Sequence, residues 1–192
     1  MTAQRIAILI SGNGTNMAEI IKAQKRGGLD ADIAIVISDN PDAPGLRRAS
    51  GLDCSILAVP YAPGRTREEN ESGIIQAIEQ NGVSWIVLAG FMRILSADFV
   101  RRYPGRIVNI HPSLLPAFPG AHAIKDAFEA GADITGVTIH IVDELVDHGP
   151  VIAQEEVPIL PGDTLDTLET RIHAVEHRLY PKTLQALLSE DI

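Results

Sequence analysis

The amino-acid sequence predicts an α/β protein built on an open, mostly parallel, Rossmann-like sheet with helices on both faces. Short, nearly continuous apolar runs alternate with longer amphipathic stretches along the chain. Such runs are typical of parallel strands buried on both faces, and the alternation indicates right-handed crossovers between them. With 192 residues the chain can bury a sizeable core, so we expect a single domain over residues 1–192.

The elements follow from the periodicity in chain order. Apolar runs predict five strands, at residues 6–10, 33–38, 54–59, 85–89 and 107–110. Amphipathic stretches between them predict four helices, at residues 16–24, 45–51, 67–81 and 96–102.

The last third of the chain adds a helix, a strand pair and a long C-terminal helix. These elements are predicted at residues 122–130, 134–142, 151–159 and 164–188. Asp163 or Thr164 is the expected N-cap of the last helix. Because ligands of such sheets bind beyond the carboxyl ends of the strands, we expect the functional site among the loops that follow them.

A polar pair ends the fifth predicted strand. Asn109 and His111 are two residues apart, so on a strand their side chains point to the same face. Pro112 disfavours a helical conformation at His111 and keeps the imidazole on that strand. On this spacing alone, a hydrogen-bonded core asparagine beside a surface histidine is an equally good interpretation. The later segment Asp147-His148-Gly149-Pro150 adds a carboxylate and favours a catalytic set.

A glycine-rich loop, Ser11-Gly12-Asn13-Gly14-Thr15-Asn16, follows the first predicted strand. Glycines let backbone N–H groups approach a ligand and a helix start favours an anion, so we expect a phosphate site. A dinucleotide site competes, because Gly12 and Gly14 match half of its fingerprint and Asp39 imitates its ribose-binding acid. Met17, in the third glycine position, would crowd the helix against the strand. A simple tight turn is the third alternative.

A histidine pattern in the last helix resembles a metal motif. His173-Ala174-Val175-Glu176-His177 fits the H-x-x-E-H pattern of some zinc peptidases. A catalytic zinc site needs a third protein ligand, and the chain beyond this segment offers carboxylates only at its terminal tail. We therefore expect a solvated or substrate-facing polar stripe and no metal. His140 alternates with isoleucines, which predicts a hydrogen-bonded histidine of the sheet that borders the site.

Composition excludes several classes of partner. The formal net charge is −9, whereas nucleic-acid phosphates and anionic membranes demand clustered Lys and Arg. No stretch approaches the roughly 18 apolar residues of a membrane span, and the apolar start is too short for a signal peptide. The single cysteine, Cys54, is expected to pack in a strand and suits a reducing cytosol. We therefore expect a cytoplasmic protein, a monomer or homodimer, that acts on small molecules.

Four motifs, spread in order over essentially the whole chain, resemble the phosphoribosylglycinamide formyltransferase family. They are ISGNGTN at residues 10–16, LAGFMRIL at 88–95, NIHPSLLP at 109–116 and DELVDHGP at 143–150. The Asn-x-His and Asp-x-Gly-Pro parts belong to the wider formyltransferase superfamily. The glycine-rich loop and the short C-terminus point to the purine-synthesis branch, and Thr15 departs from the serine common there.

The resemblance implies transfer of a formyl group from 10-formyltetrahydrofolate, a cosubstrate, to the amine of glycinamide ribonucleotide in purine synthesis, without a metal. It implies a ribonucleotide-binding half at about residues 1–100 and a catalytic and folate-binding half at about residues 101–192. The implied catalytic residues are Asn109, His111 and Asp147. The implied ribonucleotide-binding residues are Gly14, Thr15, Asn16, His173 and Glu176. The implied folate-binding residues are Arg67, Met92, Arg93, Ile94, Leu95, Asn109, Asp143, Glu144, Leu145, Val146 and Asp147.

The catalytic residue types suit this chemistry. Attack of an amine on the formyl carbon gives a tetrahedral intermediate with an oxyanion. One well-placed donor, such as the Asn109 amide, lowers the barrier by about 3–4 kcal/mol. A protonated His111 can donate to the same oxygen or supply a proton to the leaving nitrogen, and Asp147 can keep it protonated.

Three other classes of protein share parts of the pattern. A formyltetrahydrofolate deformylase uses the same three residues on water, but usually carries an extra N-terminal domain. A methionyl-tRNA formyltransferase needs a basic C-terminal nucleic-acid module, whereas this chain is acidic. A non-catalytic nucleotide-binding protein has no reason to combine Asn109, His111 and Asp147.

Overall fold

The computed structural model describes residues 3–190 and, within them, one sheet of seven strands with six helices. The strands are β1 (Gln4–Ile10), β2 (Ala31–Ser38), β3 (Ile56–Ala58), β4 (Trp85–Leu88), β5 (Ile107–His111), β6 (Ile134–Ile141) and β7 (Val151–Pro158). The helices are α1 (Thr15–Lys25), α2 (Pro44–Ser50), α3 (Arg67–Gln80), α4 (Ala97–Arg102), α5 (Ala123–Glu129) and α6 (Leu165–Glu190). The predicted α/β class is confirmed.

The strand order is β3-β2-β1-β4-β5-β6-β7. The first five strands run parallel, whereas β6 and β7 add antiparallel to one side. The order reverses direction between β1 and β4, and crevices at such switch points are where ligands bind in open α/β sheets. The carboxyl ends of β1, β4 and β5 are therefore neighbours at this edge.

The element boundaries agree with the predictions within a few residues. The strand predicted at 54–59 is shorter, because β3 lies at the edge of the sheet and pairs only with β2. Of the two N-cap candidates for the last helix, Thr164 caps it, since its Oγ1 accepts a hydrogen bond from the Thr167 amide at 3.3 Å. The Asp163 carboxylate instead pairs with Arg171, at 2.7 Å from Nη2.

The sheet separates two apolar clusters. In β1, Ile6, Ile8 and Ile10 face one side and Ala7 and Leu9 the other, and all five are fully buried. Residues of α1 and α6 cover the first side, and residues of α3 and α4 cover the second. This double burial explains why the strand is a continuous apolar run.

Tyr180 connects α6 to the edge of the sheet that carries the site. Its side chain is fully buried, and its hydroxyl lies 3.0 Å from the Leu88 carbonyl oxygen and 3.1 Å from that of Val108. Glu176, one turn earlier on the same helix, is thereby held near the carboxyl ends of the strands. Within residues 3–190, no helix is both long and apolar enough to span a membrane.

Candidate active site

Asn109 and His111 lie at the carboxyl end of β5, on the same face as their spacing predicts. The antiparallel pairing of β5 with β6 places His140 opposite Asn109 and Thr138 opposite His111. Both predicted side chains therefore meet polar groups from a strand that is far away in sequence.

Asp147 approaches His111 from the loop that follows β6. Its Oδ2 lies 3.4 Å from His111 Nδ1 and accepts a hydrogen bond from the Gly120 amide at 2.8 Å. The second ring nitrogen, Nε2, is 2.9 Å from the Phe118 carbonyl oxygen. One ring nitrogen thus contacts a carbonyl oxygen and the other faces a carboxylate. The two side chains are 6% and 10% exposed, so water screens the pair incompletely.

The backbone conformation at residues 147–149 places the Asp147 carboxylate next to His111. Asp147 has φ = +51°, in the left-handed region, which Asp and Asn adopt more readily than most residues. A Cβ atom at Gly149 would lie 2.0 Å from the Ile141 carbonyl oxygen, so only glycine fits where the loop returns against β6. The Asp-x-Gly order of the motif therefore has a steric reason.

His140 lines the same part of the site and contacts Asn109, a position that the sequence only partly revealed. Its Nδ1–H donates to the Ile141 carbonyl oxygen at 2.9 Å, which leaves Nε2 as an acceptor for the Asn109 amide nitrogen at 3.2 Å. Burial lowers the pKa of His140, so the ring is neutral and can accept this bond. The contact sets the direction of the Asn109 amide, and the β5–β6 register that creates it is a tertiary feature.

A cavity of about 360 Å³ opens beside these residues. Its walls come from the loop after β4, the end of β5 and the loop after β6. The rim carries apolar side chains that are unusually exposed, with Met92 at 68%, Ile94 at 54%, Leu145 at 60% and Val146 at 53%. An apolar cavity with a few converging polar groups is the usual form of a small-molecule site.

Most of the residues predicted to bind folate lie on this cavity. Those that line it are Met92, Arg93, Ile94, Leu95, Asn109, Asp143, Glu144, Leu145, Val146 and Asp147. Arg67 does not line it: it is the first residue of α3, after the capping Thr66, and is exposed. The cavity also draws on both sides of residue 100, so the two predicted halves share it.

A second polar cluster joins the start of α1 to α6. Glu176 is only 4% exposed, and its Oε2 accepts hydrogen bonds from Asn16 Nδ2 at 3.0 Å and from His173 Nδ1 at 2.9 Å. The bond to Glu176 raises the pKa of His173 and favours its charged form. Gly14 precedes the helix with φ = +64°, and the amides of residues 15 and 16 begin α1. This arrangement presents backbone N–H groups and an imidazole whose charged form is favoured beside one helix start, where an anion is favoured.

The contacts of Met17, Asp39 and His173 bear on the competing interpretations of these two motifs. Met17 is fully buried, and a Cβ atom built on Gly14 would lie 2.7 Å from Met17 Cε, so a bulky side chain fills the position of a third glycine. Asp39, the stand-in for a ribose-binding acid, is 6% exposed and is already paired with Arg93. In the histidine motif, His173 is engaged by Glu176, and within residues 3–190 no three His, Cys, Asp or Glu side chains are grouped to hold a metal.

Ser11 links the glycine-rich loop to the wall of the cavity. Its amide donates to the Gly90 carbonyl oxygen at 3.0 Å, and its Oγ accepts from the Met92 amide at 2.8 Å. An anion-favouring helix start and an apolar cavity are thus joined at one edge of the sheet, with an amide, an imidazole and a carboxylate beside them. This set can stabilise a developing oxyanion and move a proton, which are the needs of acyl-type group transfer.

The chain belongs to the formyl transferase family, whose model it matches over residues 4–184. Within that family it is similar to phosphoribosylglycinamide formyltransferases, which confirms the resemblance drawn from the four motifs. The crystal structure of the Bacillus halodurans protein of that name has a TM-score of 0.95 and 48% identity, covering 98% of this chain and 97% of that one. The Bacillus subtilis protein is 40% identical over 185 residues, which are 96% of this chain and 95% of the relative.

Two further relatives are either much longer than this chain or less similar to it. The trifunctional purine biosynthetic protein adenosine-3 of Drosophila melanogaster is 45% identical over 97% of this chain, but the chain spans only 14% of that protein's length. The crystal structure of a formyltetrahydrofolate deformylase from Pseudomonas syringae has a TM-score of 0.90 at 28% identity, and the chain covers 62% of it. The deformylase is thus a more distant neighbour than the transferases.

Proposed function

We propose that this protein transfers the formyl group of 10-formyltetrahydrofolate to the amine of glycinamide ribonucleotide, a step of purine biosynthesis. One observation carries the proposal. The anion-favouring start of α1 and the apolar cavity lie at the same edge of the sheet, joined through Ser11, with Asn109, His111 and Asp147 beside the cavity. Relatives similar over nearly the whole chain bear the name phosphoribosylglycinamide formyltransferase.

The folate occupies the cavity in this proposal. The exposed apolar rim of Met92, Ile94, Leu145 and Val146 suits a flat aromatic ring system, and the backbone of the surrounding loops suits its polar edge. Arg67, exposed and outside the cavity walls, is left for the charged tail of the same molecule. The folate leaves as tetrahydrofolate, so it is a cosubstrate, and the proposed step requires no metal.

The ribonucleotide occupies the second cluster. Its phosphate binds the amides at the start of α1, at Gly14, Thr15 and Asn16, with His173 nearby as a cation. Oε2 of Glu176 accepts two hydrogen bonds within the protein. In this proposal the other carboxylate oxygen, Oε1, accepts a hydrogen bond from the ribonucleotide. Binding at a distance from the reacting amine orients that amine toward the formyl carbon.

In the proposed chemical step, Asn109, His111 and Asp147 act on the formyl group. The amine nitrogen forms a bond to the formyl carbon, and the carbonyl oxygen becomes an oxyanion. The Asn109 amide, oriented by His140, directs its second N–H toward that oxygen. As the carbon–N10 bond breaks, N10 takes up a proton and the attacking amine loses one. His111, supported by Asp147, is the group that moves these protons.

The proposal extends to partners and location. The formal net charge of −9 favours small-molecule substrates over nucleic acid or an anionic membrane. The single cysteine suits the cytoplasm. The protein acts as one domain and as a monomer or homodimer. Its division near residue 100 into a ribonucleotide-binding half and a folate-binding half stays a prediction, because in this proposal each substrate contacts residues of both halves.

One assay tests the proposal. Purified protein is mixed with 10-formyltetrahydrofolate, with and without glycinamide ribonucleotide, and the appearance of tetrahydrofolate is followed. We expect slow loss of formyl without the ribonucleotide and a steep rise when it is added, since the same residues act on a held amine far faster than on water. An acceptor analogue without the phosphate should show a much lower kcat/KM. Equal rates with and without the ribonucleotide would instead identify a deformylase.

A further inference from the structure

The loop of residues 90–96 forms one wall of the cavity without regular structure of its own. It connects β4 to α4. Phe91 and Leu95 are buried, whereas Met92 and Ile94 between them are exposed on the rim. An irregular wall holds a ligand with affinity only when its backbone is fixed by the residues behind it.

Asp39 is the first support behind this loop. It follows β2 directly, is 6% exposed and does not line the cavity. Its Oδ2 accepts a hydrogen bond from Arg93 Nε at 2.6 Å. Because β1 lies between β2 and β4, the carboxylate reaches the loop across the end of β1. The carboxylate is buried whereas the Arg93 side chain is 49% exposed, and a charge-assisted bond of this kind is one of the stronger contacts a side chain can make.

Tyr61 holds the same guanidinium from another side. The Arg93 guanidinium carbon lies 5.1 Å from the centre of the Tyr61 ring, and that ring meets Phe91 edge-on at 6.4 Å. Two groups of the protein thus hold the Arg93 side chain, which is 49% exposed.

Glu71 of α3 is the second support. It is fully buried and does not line the cavity. It accepts hydrogen bonds from the Ser96 amide at 2.8 Å and from the Ser96 hydroxyl, whose oxygen in turn accepts from the Phe99 amide at 3.1 Å to cap α4. Burial raises the pKa of Glu71, and the bonds from Ser96 oppose that shift. A buried carboxyl group is costly for stability, and here it fixes the point where the loop ends.

We propose that Asp39 and Glu71 are positioning residues, which hold the 90–96 loop in the conformation that binds the folate although neither touches the cavity. This inference rests on the assignment of the cavity to the folate in the proposed function. The two carboxyl groups then set the affinity for the folate. They leave the ribonucleotide cluster and the chemical step unchanged. A merely structural role would lower the thermal stability without separating KM for the folate from kcat.

Asp39→Ala is the first test, with Asp32→Ala as its matched control. Asp32 lies near the other end of β2 and pairs with Arg5 at 2.8 Å in an exposed position. We expect Asp39→Ala to raise KM for 10-formyltetrahydrofolate about tenfold, the scale of one lost charge-assisted hydrogen bond. kcat and KM for the ribonucleotide should stay within about twofold of wild type. Asp39→Asn keeps an acceptor for Arg93 and should recover most of the affinity.

Glu71→Gln and Glu71→Ala form the second pair. Gln keeps the volume and an acceptor for Ser96, so its KM for the folate should lie closer to wild type than that of Ala. If Glu71→Ala does not fold, Glu71→Gln and the Asp39 variants decide the question. Binding of tetrahydrofolate, measured by calorimetry, should weaken in parallel with KM and does not depend on turnover.

The inference is overturned if folded Asp39→Ala binds tetrahydrofolate as wild type does. It is also overturned if kcat falls and KM for the ribonucleotide rises together with KM for the folate. A wrong proposed function would appear differently, because wild-type protein would then fail to transfer formyl to the ribonucleotide.

Discussion

Replacing Asp147 by asparagine removes a negative charge from the site and keeps an oxygen that can accept the hydrogen bond from the Gly120 amide. In the wild-type protein the carboxylate oxygen Oδ2 lies 2.8 Å from the Gly120 amide, which donates to it, and 3.4 Å from His111 Nδ1. Position 147 has φ = +51°, a conformation that asparagine adopts as readily as aspartate. Shape and backbone are thus preserved, and the loss of turnover reports the charge.

The magnitude follows from the distance. For unit charges separated by the 3.4 Å between Asp147 and His111, an effective dielectric constant of about 20 gives roughly 5 kcal/mol. The pair is shielded by burial but lies beside an open cavity, so part of this energy is lost to screening. If about 3 kcal/mol acts on the transition state, turnover falls about 10²-fold.

The assay is the initial rate of tetrahydrofolate formation with both substrates saturating, accompanied by circular dichroism and thermal unfolding. Asp53→Asn is the matched control, because Asp53 also has a positive φ, +58°, and pairs with Lys25 at 2.9 Å on the surface. Its turnover should equal that of wild type. A folded Asp147→Asn enzyme whose kcat lies within about threefold of wild type would refute the electrostatic role of Asp147.

Three further predictions concern the imidazole, the helix start and the second cluster. His111→Ala should lower kcat at least about 10²-fold in protein shown by circular dichroism to be folded, and near-wild-type turnover would contradict its role. Crystals grown with sulfate should show an anion at the amides of residues 14–16, while tight NAD binding by calorimetry would overturn the phosphate assignment. Since the bond to Glu176 raises the pKa of His173, its charge is present at lower pH and is lost as the pH rises through that raised value. KM for the ribonucleotide should therefore increase over that range, and His173→Gln, which cannot titrate, should flatten the profile; an unchanged profile would exclude the histidine.

Local patterns were sufficient for the elements and for much of the site. The two-residue spacing of Asn109 and His111 places both on one face of β5, as the strand period requires. The third member of the set, Asp147, was indicated by a motif rather than by periodicity. Its approach to His111 depends on a left-handed residue and on Gly149, whose steric role appears only when the loop is seen against β6.

Other parts of the site were beyond sequence reasoning because they depend on partners far apart in the chain. No sequence spacing predicts that Asp39 accepts a hydrogen bond from Arg93, or that Glu71 accepts one from Ser96. By its position in the sequence, Asp39 matched a ribose-binding acid. The structure shows that its carboxylate is buried and paired with Arg93. For Arg67 the resemblance implied folate binding, whereas the structure places it outside the cavity walls, so its role stays a prediction.

By itself, the sequence determined the α/β class, the order of the elements and the residue types gathered at the carboxyl edge, because strand and helix periods and proline and glycine positions act over a few residues. The tertiary structure alone decided how those residues meet. The register between β5 and β6 sets His140 against Asn109, the crossing of α6 brings Glu176 to Asn16, and the strand order lets Asp39 reach across β1. Each of these contacts joins residues that are far apart in sequence and that packing of the sheet and its helices brings together. A local pattern covers only a few residues, so it does not predict these contacts.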